Sequence, residues 1–504
     1  MLLIHEVLAP RTWAQRGRDL LRQLPGWLGS LLFHGMVLVL LAIMFLPKED
    51  RPTRELVATS LQDEDLAEPE PITIPQDEQH ETESIENLSE LVESITSADS
   101  APAVEVADLD SSAAISINVE LQEIGLDSIS RTDLMSEVGG VGGRGLEGRS
   151  EGGRRMLVAQ RGGNAESEAA VARALDWFAR HQNSDGSWSF DHRFGQCQGR
   201  CGNEGDLAES YNGATGLALL PFLGAGQTHR EGKYKELVRG GLYFLINRMR
   251  VTEAGGSLTS GPSNGGMYDH AIATIALCEA YAMTQDRALF QPAQAAINYI
   301  VSSQDPVGGG WRYFPREAGD TSVVGWQLMA LKSGHMGYLA IPPNTIAGVE
   351  HFLDSVQQHD GSAYGYMGPG DGSATSAAGL LCRMYLGWEH DHPALVRGIE
   401  RFSRRGPSPA NMYFNYYATQ LLHHYEGEAW EKWNKQMRDY LVETQALSGH
   451  ETGSWYFPRV DRESDAGMDR GGRLYFTAMA TMILEVYYRH LPLYRKESTE
   501  SDFN

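Results

Sequence analysis

The densest polar cluster of the chain is Asn264-Gly-Gly-Met-Tyr-Asp-His270, which runs into the nearly wholly apolar stretch Ala271–Tyr281. A stretch of that composition reads as a buried helix, and a helix start gathers free N–H groups and the positive end of the dipole. Tyr268, Asp269 and His270 could orient one another there for acid–base work. Capping and packing is the plainer account of the same three residues. A second cluster, Gly319-Asp-Thr-Ser322, opens the apolar run Val323–Leu331. Asp320 is placed to cap that helix, and a capping carboxylate can also serve a site. Pro369-Gly-Asp-Gly-Ser-Ala-Thr375 opens a further helix, and Asp469, Arg470 and Arg473 precede the last one. If these starts share one mouth, it carries a rim of mixed charge suited to a sugar, a peptide or a small molecule. The candidate catalytic residues are Tyr268, Asp269, His270 and Asp320. No cofactor and no metal ion are expected.

The four cysteines divide into two kinds. Cys278 and Cys382 lie in apolar helical runs and read as buried free thiols. Cys197 and Cys201 lie in a Gly-rich loop, Phe194-Gly-Gln-Cys-Gln-Gly-Arg-Cys-Gly202, and the first reading is a loop disulfide, with two free thiols as an alternative. A metal site needs more than two thiols, and His192 is the only near candidate for a further ligand.

The elements that must position these residues follow from a repeated phrase. A helical run ends in aromatic-aliphatic-x-x-x-Gln, and a Gly-rich turn carrying an aromatic follows. The clear copies are Trp177-Phe178-x3-Gln182 with Gly186-Ser187-Trp188, Tyr299-Ile300-x3-Gln304 with Gly310-Trp311, and Tyr440-Leu441-x3-Gln445 with Gly453-Ser454-Trp455. Repeats at such periods point to an array of supersecondary units. Ala169–Ala179 is amphipathic at the helical period, whereas Thr215–Leu223 and Ala271–Met283 are apolar all round. Alternation of the two kinds is what two concentric helical layers require. The opening aromatics Trp177, Tyr243, Tyr299, Phe352, Phe402 and Tyr440 count six hairpins. The expected fold is all-α, an α/α toroid over residues 164–495. The final run, Leu474–Tyr488, is fit to close against the first pair.

The phrase Arg173-Ala-x-x-Trp-Phe-x3-Gln-x3-Gly-x-Trp188 resembles the QW motif of the squalene cyclase and prenyltransferase repeat family. The resemblance covers residues 165–495, with degraded copies at Arg248 and Ser403–Arg405. It implies that Gln182, Gln304, Gln445, Trp188, Trp311 and Trp455 tie outer helices together and are not catalytic. A polyene cyclase of that family carries Asp-x-Asp-Asp-Thr-Ala, where one acid stays neutral beside the others. This chain has no copy, and Asp320 is the nearest match. A cyclase also needs rings for its cations; Tyr413-Phe-Asn-Tyr-Tyr417 and Tyr475-Phe476 could supply them, or could be core. The family's zinc-dependent prenyltransferases use a close Asp-x-Cys pair, whereas Cys278 lies nine residues beyond Asp269. Polysaccharide lyases and some glycosidases also use α/α toroids and need a base or paired carboxylates. Asp269, Asp320, Asp371, Asp461 and Asp465 are available, with no separations readable from sequence.

The N-terminal third is different. Trp27–Leu46 carries no Asp, Glu, Lys or Arg and is long enough to span a bilayer. Arg11, Arg16, Arg18 and Arg22 precede it, so residues 1–26 are expected in the cytoplasm and the bulk of the chain outside it. Residues 47–163 form an acidic, then Gly-rich linker, expected to be disordered. Between Glu55 and Arg131 there are 20 acidic residues and no Lys or Arg, which accounts for most of the net charge of −24. No basic stripe is present, so nucleic acid is excluded as a partner. Residues 496–504 are a tail. The expected function is a membrane-anchored, extracytoplasmic toroid that binds or scaffolds. Its partners would be the bilayer, through residues 27–46, and a cell-envelope protein, glycan or lipid. The alternative is an enzyme acting on a lipid, terpenoid or glycan inside the toroid.

Overall fold

The computed structural model of the chain describes residues 148–260, 266–458, 469–490 and 493. The chain divides into two units, residues 1–87 and 88–504, and every described residue belongs to the second. The expected membrane segment 27–46 and tail 496–504 lie outside the described residues, as do Asp461 and Asp465. Among the described residues no helix is long and apolar enough to cross a membrane.

The helices run, in chain order, α1 Glu151–Arg161, α2 Ala165–Ala179, α3 Tyr211–Gly224, α4 Lys235–Arg248, α5 Gly266–Thr284, α6 Arg287–Ser303, α7 Thr321–Met336, α8 Pro343–Val356, α9 Ser373–Tyr385, α10 Pro393–Arg405, α11 Met412–Tyr425, α12 Gly427–Thr444, α13 Gly472–Leu484 and α14 Val486–Arg489. Two antiparallel ribbons, β1 Arg250–Thr252 with β2 Gly255–Ser257 and β3 Gln357–Gln358 with β4 Ala363–Tyr364, decorate the loops. From α2 to α13 the helices form six hairpins, even-numbered outside and odd-numbered inside. Each inner helix packs on the next, and α13 returns to α3, so the ring is closed and the fold is the expected α/α toroid.

Sequence explains which helix goes to which layer. In α3 every residue from Asn212 to Gly224 is buried, so this helix has no solvent face. In α6 burial is confined to Leu289, Ala293, Ala296, Ile297, Ile300 and Ser303, one stripe at the helical period. Caps set the starts. The Asn164 side chain accepts from the Ser167 N–H at 2.8 Å, and the Ser167 hydroxyl answers the Asn164 N–H at 3.1 Å, which is a reciprocal capping box for α2.

The repeated phrase is one device used three times. The Gln182 amide nitrogen donates to Gly186 O at 2.9 Å within its own turn and to Leu237 O at 2.9 Å on the next outer helix. Gln304 does the same to Gly309 O and Thr345 O, at 2.8 and 2.9 Å. Gln445 reaches Gly453 O at 3.0 Å and Ala170 O at 2.8 Å. Ala170 belongs to the first outer helix, so the third copy joins the sixth hairpin to the first. The indoles of Trp188, Trp311 and Trp455 each donate, at 2.8 Å, to a carbonyl of the outer helix before them. The turn glycines Gly186, Gly309 and Gly453 hold φ of 88°, 74° and 93°. A Cβ on any of them would overlap the backbone of the next outer helix, so glycine is needed for conformation and for approach.

One boundary differs from expectation. Residues 148–163 are not linker: α1 is a capped helix with Leu157, Val158 and Arg161 buried. Arg149, just before it, donates to Glu279 at 2.9 Å and to the Arg489 carbonyl at 3.3 Å inside the ring. Gly-rich and charged composition hides this segment from a composition argument, because its order comes from docking. The last run also breaks, into α13 and α14, rather than continuing from Leu474 to Tyr488 as one helix.

Gln445→Ala is expected to strip two backbone carbonyls of a partner and to cost about 2 kcal/mol of stability. Urea denaturation of the two chains checks this, and a loss below about 0.5 kcal/mol would show that the amide does not hold the seam.

Candidate functional site

The inner helices run parallel, because residues of their first turns meet at one mouth and residues of their last turns at the other. At the first mouth Tyr268 (α5) donates to the Ser322 hydroxyl (α7) at 2.6 Å, and Ser322 meets the Tyr413 hydroxyl (α11) at 2.5 Å. α7 and α11 are not neighbours in the ring, so this chain crosses the lumen. Below it, Trp326 of α7 stacks on Tyr416 of α11, with centroids 5.5 Å apart and planes 14° apart. Gly325 leaves room for Tyr417, whose hydroxyl would lie 2.9 Å from a Cβ at that position. Trp326, Tyr413, Tyr416 and Tyr417 are all buried. Of the expected cation-lining rings, Tyr413, Tyr416 and Tyr417 therefore pack against α7 across the lumen, while Phe414 packs outward on Phe402 and Trp433.

Asp320 caps α7: one oxygen accepts from the Val323 N–H at 2.9 Å, the other from the Tyr366 hydroxyl at 3.0 Å. The Arg312 guanidinium stands 3.9 Å away. Burial raises the Asp320 carboxyl, and the Val323 N–H, Tyr366 and Arg312 pull it back. Tyr366 also meets the Tyr313 hydroxyl at 2.6 Å. Next to this network Phe314 is 48% exposed, Tyr366 39% and Met367 48%. The mouth thus presents aromatic surface beside an Arg/Asp pair. Sequence reasoning missed Arg312, Tyr313 and Tyr366; the only signal was the position of Arg312 and Tyr313 directly after the turn Trp311.

Tyr268, Asp269 and His270 do not orient one another. Tyr268 turns to Ser322. Asp269 turns to α3, where Gly213 has no room for a Cβ beside the carboxylate. Burial pushes its carboxyl up to about 7, opposed by hydrogen bonds from Ser260 and Ser210. Its Oδ2 has no hydrogen-bond partner among the described residues. His270 faces outward: Nδ1 accepts from the Leu258 N–H at 3.1 Å and Nε2 donates to Ala296 O at 3.1 Å. Both ring nitrogens are committed, and burial drives its pKa down to about 3. The ring stays neutral and serves as a strut between layers. Of the four sequence candidates, the structure joins Tyr268 and Asp320 in one rim and separates Asp269 and His270 from it. Asp371 is exposed, and Arg470 pairs with Asp206 at 2.9 Å.

The second mouth carries a buried charge cluster that sequence reasoning did not find. Glu279 accepts from Arg149 and Arg489, each at 2.9 Å. Burial alone would raise its carboxyl, but the two guanidiniums hold it below its ordinary value. Lys332 lies over the Tyr385 ring at 3.5 Å, and burial lowers its ammonium to about 7. A cavity of about 40 Å³ remains between Glu279, Lys332, Tyr385, Tyr416, His424 and Arg489, room for a water and not for a substrate.

The cysteine expectation is corrected as well. Cys197 and Cys201 are free, like Cys278 and Cys382. They face His181 and His450. His192 lies edge-on to His181, with centroids 5.6 Å apart, and stands outside that group.

No family model and no curated protein matches the chain. Similar solved structures include the α-1,6-mannanase of glycoside hydrolase family 76 from Salegentibacter sp. HEL1_6 (10% identity, 64% of this chain, 98% of that chain, TM-score 0.43). A family 76 mannosidase from Bacteroides thetaiotaomicron gives 11% identity, 65% and 98% coverage and a TM-score of 0.44. A variant of the type II terpene cyclase MstE from Scytonema, in complex with geranylgeranyl dihydroxybenzoate, gives 14%, 64%, 96% and 0.41. At these identities and scores the likenesses say nothing about what this chain binds or transforms.

Because the Asp269 pKa is raised from 3.8 to about 7, its contribution to stability is full below the unfolded pKa and is lost as pH rises through the folded one. Asp269→Asn mimics the neutral acid. It is expected to lose less stability than the parent between about pH 4 and 8, with a difference on the order of a few kcal/mol at the alkaline end. Parallel urea titrations at both ends check this; identical pH slopes would place the titration elsewhere.

Proposed function

We propose that this protein is a membrane-anchored, extracytoplasmic binding module in which the toroid presents its aromatic rim to a ligand. The observation that carries the reading is the cross-lumen packing of Trp326 on Tyr416 and the Tyr268–Ser322–Tyr413 chain above it. Those side chains take the volume in which a toroidal cyclase would enclose a substrate, and Asp320 is committed to a helix cap and a tyrosine. What the mouth still offers is surface: Tyr366, Phe314 and Met367 beside Arg312. Flat aromatics with a few fixed polar groups suit a glycan or a glycan-bearing partner in the cell envelope. Residues 27–46 would be the bilayer anchor and the acidic stretch after them the spacer.

A second reading rests on Asp269. A buried carboxyl at the start of an inner helix, with one oxygen unpaired among the described residues, is the kind of group a general acid requires. In this reading the toroid acts on a lipid, terpenoid or glycan entering between α3 and α5.

Full-length protein, solubilised from membranes, should be retained by isolated cell-envelope material, and Tyr366→Ala with Arg312→Ala should lower retention at least about tenfold, the loss of roughly 1.4 kcal/mol. Unchanged retention rejects the rim. Release of product from that material, abolished by Asp269→Asn, would favour the enzyme. Deleting residues 27–46 should move the protein out of the membrane fraction, and protease added outside spheroplasts should digest the toroid of the intact chain. Protection from that protease reverses the proposed side.

A further inference from the structure

His181, Cys197, Cys201 and His450 place one ligand atom each within 4.8 Å of all the others. Cys201 Sγ lies 3.4 Å from His181 Nε2 and 3.1 Å from His450 Nδ1, and Cys197 Sγ lies 3.7 Å from His450 Nδ1. With metal–sulfur bonds of about 2.3 Å and metal–nitrogen bonds of about 2.0 Å, the ligand atoms of a tetrahedral zinc site stand roughly 3–4 Å apart. The four atoms already stand close to that spacing. Two soft thiolates and two imidazoles in tetrahedral array select zinc over hard cations. We propose that this protein binds one structural zinc ion through Cys197, Cys201, His181 and His450.

The surroundings are those of a ligand set. The His181 Nδ1–H donates to Trp177 O at 2.6 Å, and this leaves the Nε2 lone pair turned toward the sulfurs. Outer hydrogen bonds of that kind fix the tautomer and orientation of metal-bound imidazoles. The ring is further held by stacking on Trp177, at 3.9 Å between centroids. Cys197 Sγ accepts the Cys201 N–H at 3.2 Å, as a thiolate would. Arg200 and Arg473 clamp the loop through the carbonyls of Cys197 and Gly202, each at 2.9 Å. Cys197, Cys201 and His181 are buried, so two thiolates and two neutral imidazoles around a dication make a neutral unit where isolated charges would be destabilising. Binding releases the two thiol protons to solvent.

All four coordination positions are filled by protein, which marks the site as structural and leaves no place for a reacting water. Its position gives it a task. His181 follows the end of the first outer helix, Cys197 and Cys201 lie in the loop between α2 and α3, and His450 lies in the loop between α12 and α13. The ion would therefore staple the sixth hairpin to the first, across the one seam of the ring that the chain does not itself bridge.

Full-length protein purified without added metal should carry close to one equivalent of zinc per chain by elemental analysis. Replacement by cobalt should give the thiolate-to-cobalt charge-transfer absorption and intense visible bands of a tetrahedral site with two sulfurs. His450→Ala, on the more exposed ligand, should weaken zinc binding by more than the roughly 10–100-fold that loss of an outer-shell partner costs. Cys201→Ser should lose the metal, and Cys278→Ser, on a buried thiol of α5, should keep it. The idea is sunk by metal-free protein whose Cys197 and Cys201 resist alkylation until reduced and whose mass is lower by two hydrogens, since that protein holds a disulfide. Metal-free protein with two alkylatable thiols and no cobalt spectrum sinks it equally. Binding retained in His450→Ala and Cys201→Ser would place the ion elsewhere.

Discussion

The fold depends on one amide. Each turn glutamine donates two hydrogen bonds, one to its own turn and one to the next outer helix, and so converts a row of hairpins into a ring with fixed pitch. A solenoid needs polar terminal faces, because its end repeats have no neighbour. A ring has no ends. The condition is that the last repeat meet the first, and Gln445 donating to Ala170 meets it, with Arg173 donating back to the Gln445 oxygen at 2.8 Å. The glutamine is hard to replace because its partners are backbone carbonyls in a buried region. The adjacent glycines matter for the same reason, since the amide reaches the next helix only where two backbones touch.

Closure with alternating layers forces the inner helices to be parallel, and parallel helices give the two mouths opposite polarity. The mouth of helix starts holds Asp269 and Asp320. The mouth of helix ends holds Arg149, Lys332 and Arg489, arranged around Glu279. A carboxylate at a helix start, as Asp320, and a cation near a helix end, as Lys332, are each favoured by the dipoles, whereas Glu279 near the end of α5 is held by Arg149 and Arg489. Arg149 shows how far this reaches: the segment before the first hairpin is drawn back into the ring by two hydrogen-bonded partners at the cationic mouth, and α1 folds along with it.

The seam between the sixth and first hairpins is where the ring is most exposed to opening, because no peptide bond crosses it. It is also where long-range polar contacts concentrate. Asn434 and Arg438 donate to Gly162 O at 2.9 and 2.6 Å. Arg180 donates to Thr452 O at 2.8 Å, Arg473 donates to Gly202 O at 2.9 Å, and Arg470 pairs with Asp206 at 2.9 Å. Several of these are exposed and individually weak. A set of weak contacts can hold a closed ring only if packing already offsets nearly all the free energy of closure, and α13 against α2 and α3 supplies that packing.

What sequence made legible was whatever is local. The glutamine, glycine and tryptophan of the phrase lie within about a dozen residues, so the repeat itself was visible, while the opening aromatics counted the hairpins and the resemblance implied the tying role. The cap role of Asp320 was readable for the same reason. The divergence of Tyr268, Asp269 and His270 follows from helical geometry. Consecutive residues on a helix are about 100° apart, so three in a row in the first turn of α5 must look in three directions, toward the rim, toward α3 and toward the outer layer. Cys197 and Cys201 were read as a pair because their neighbours in sequence offered only His192. Their real companions are 20 and 253 residues from one or other of them, and His450 arrives only because the ring closes. A chain whose site contacts are made by closure hides them from any reading of spacing, whereas the residues that cause closure stay visible, since they repeat.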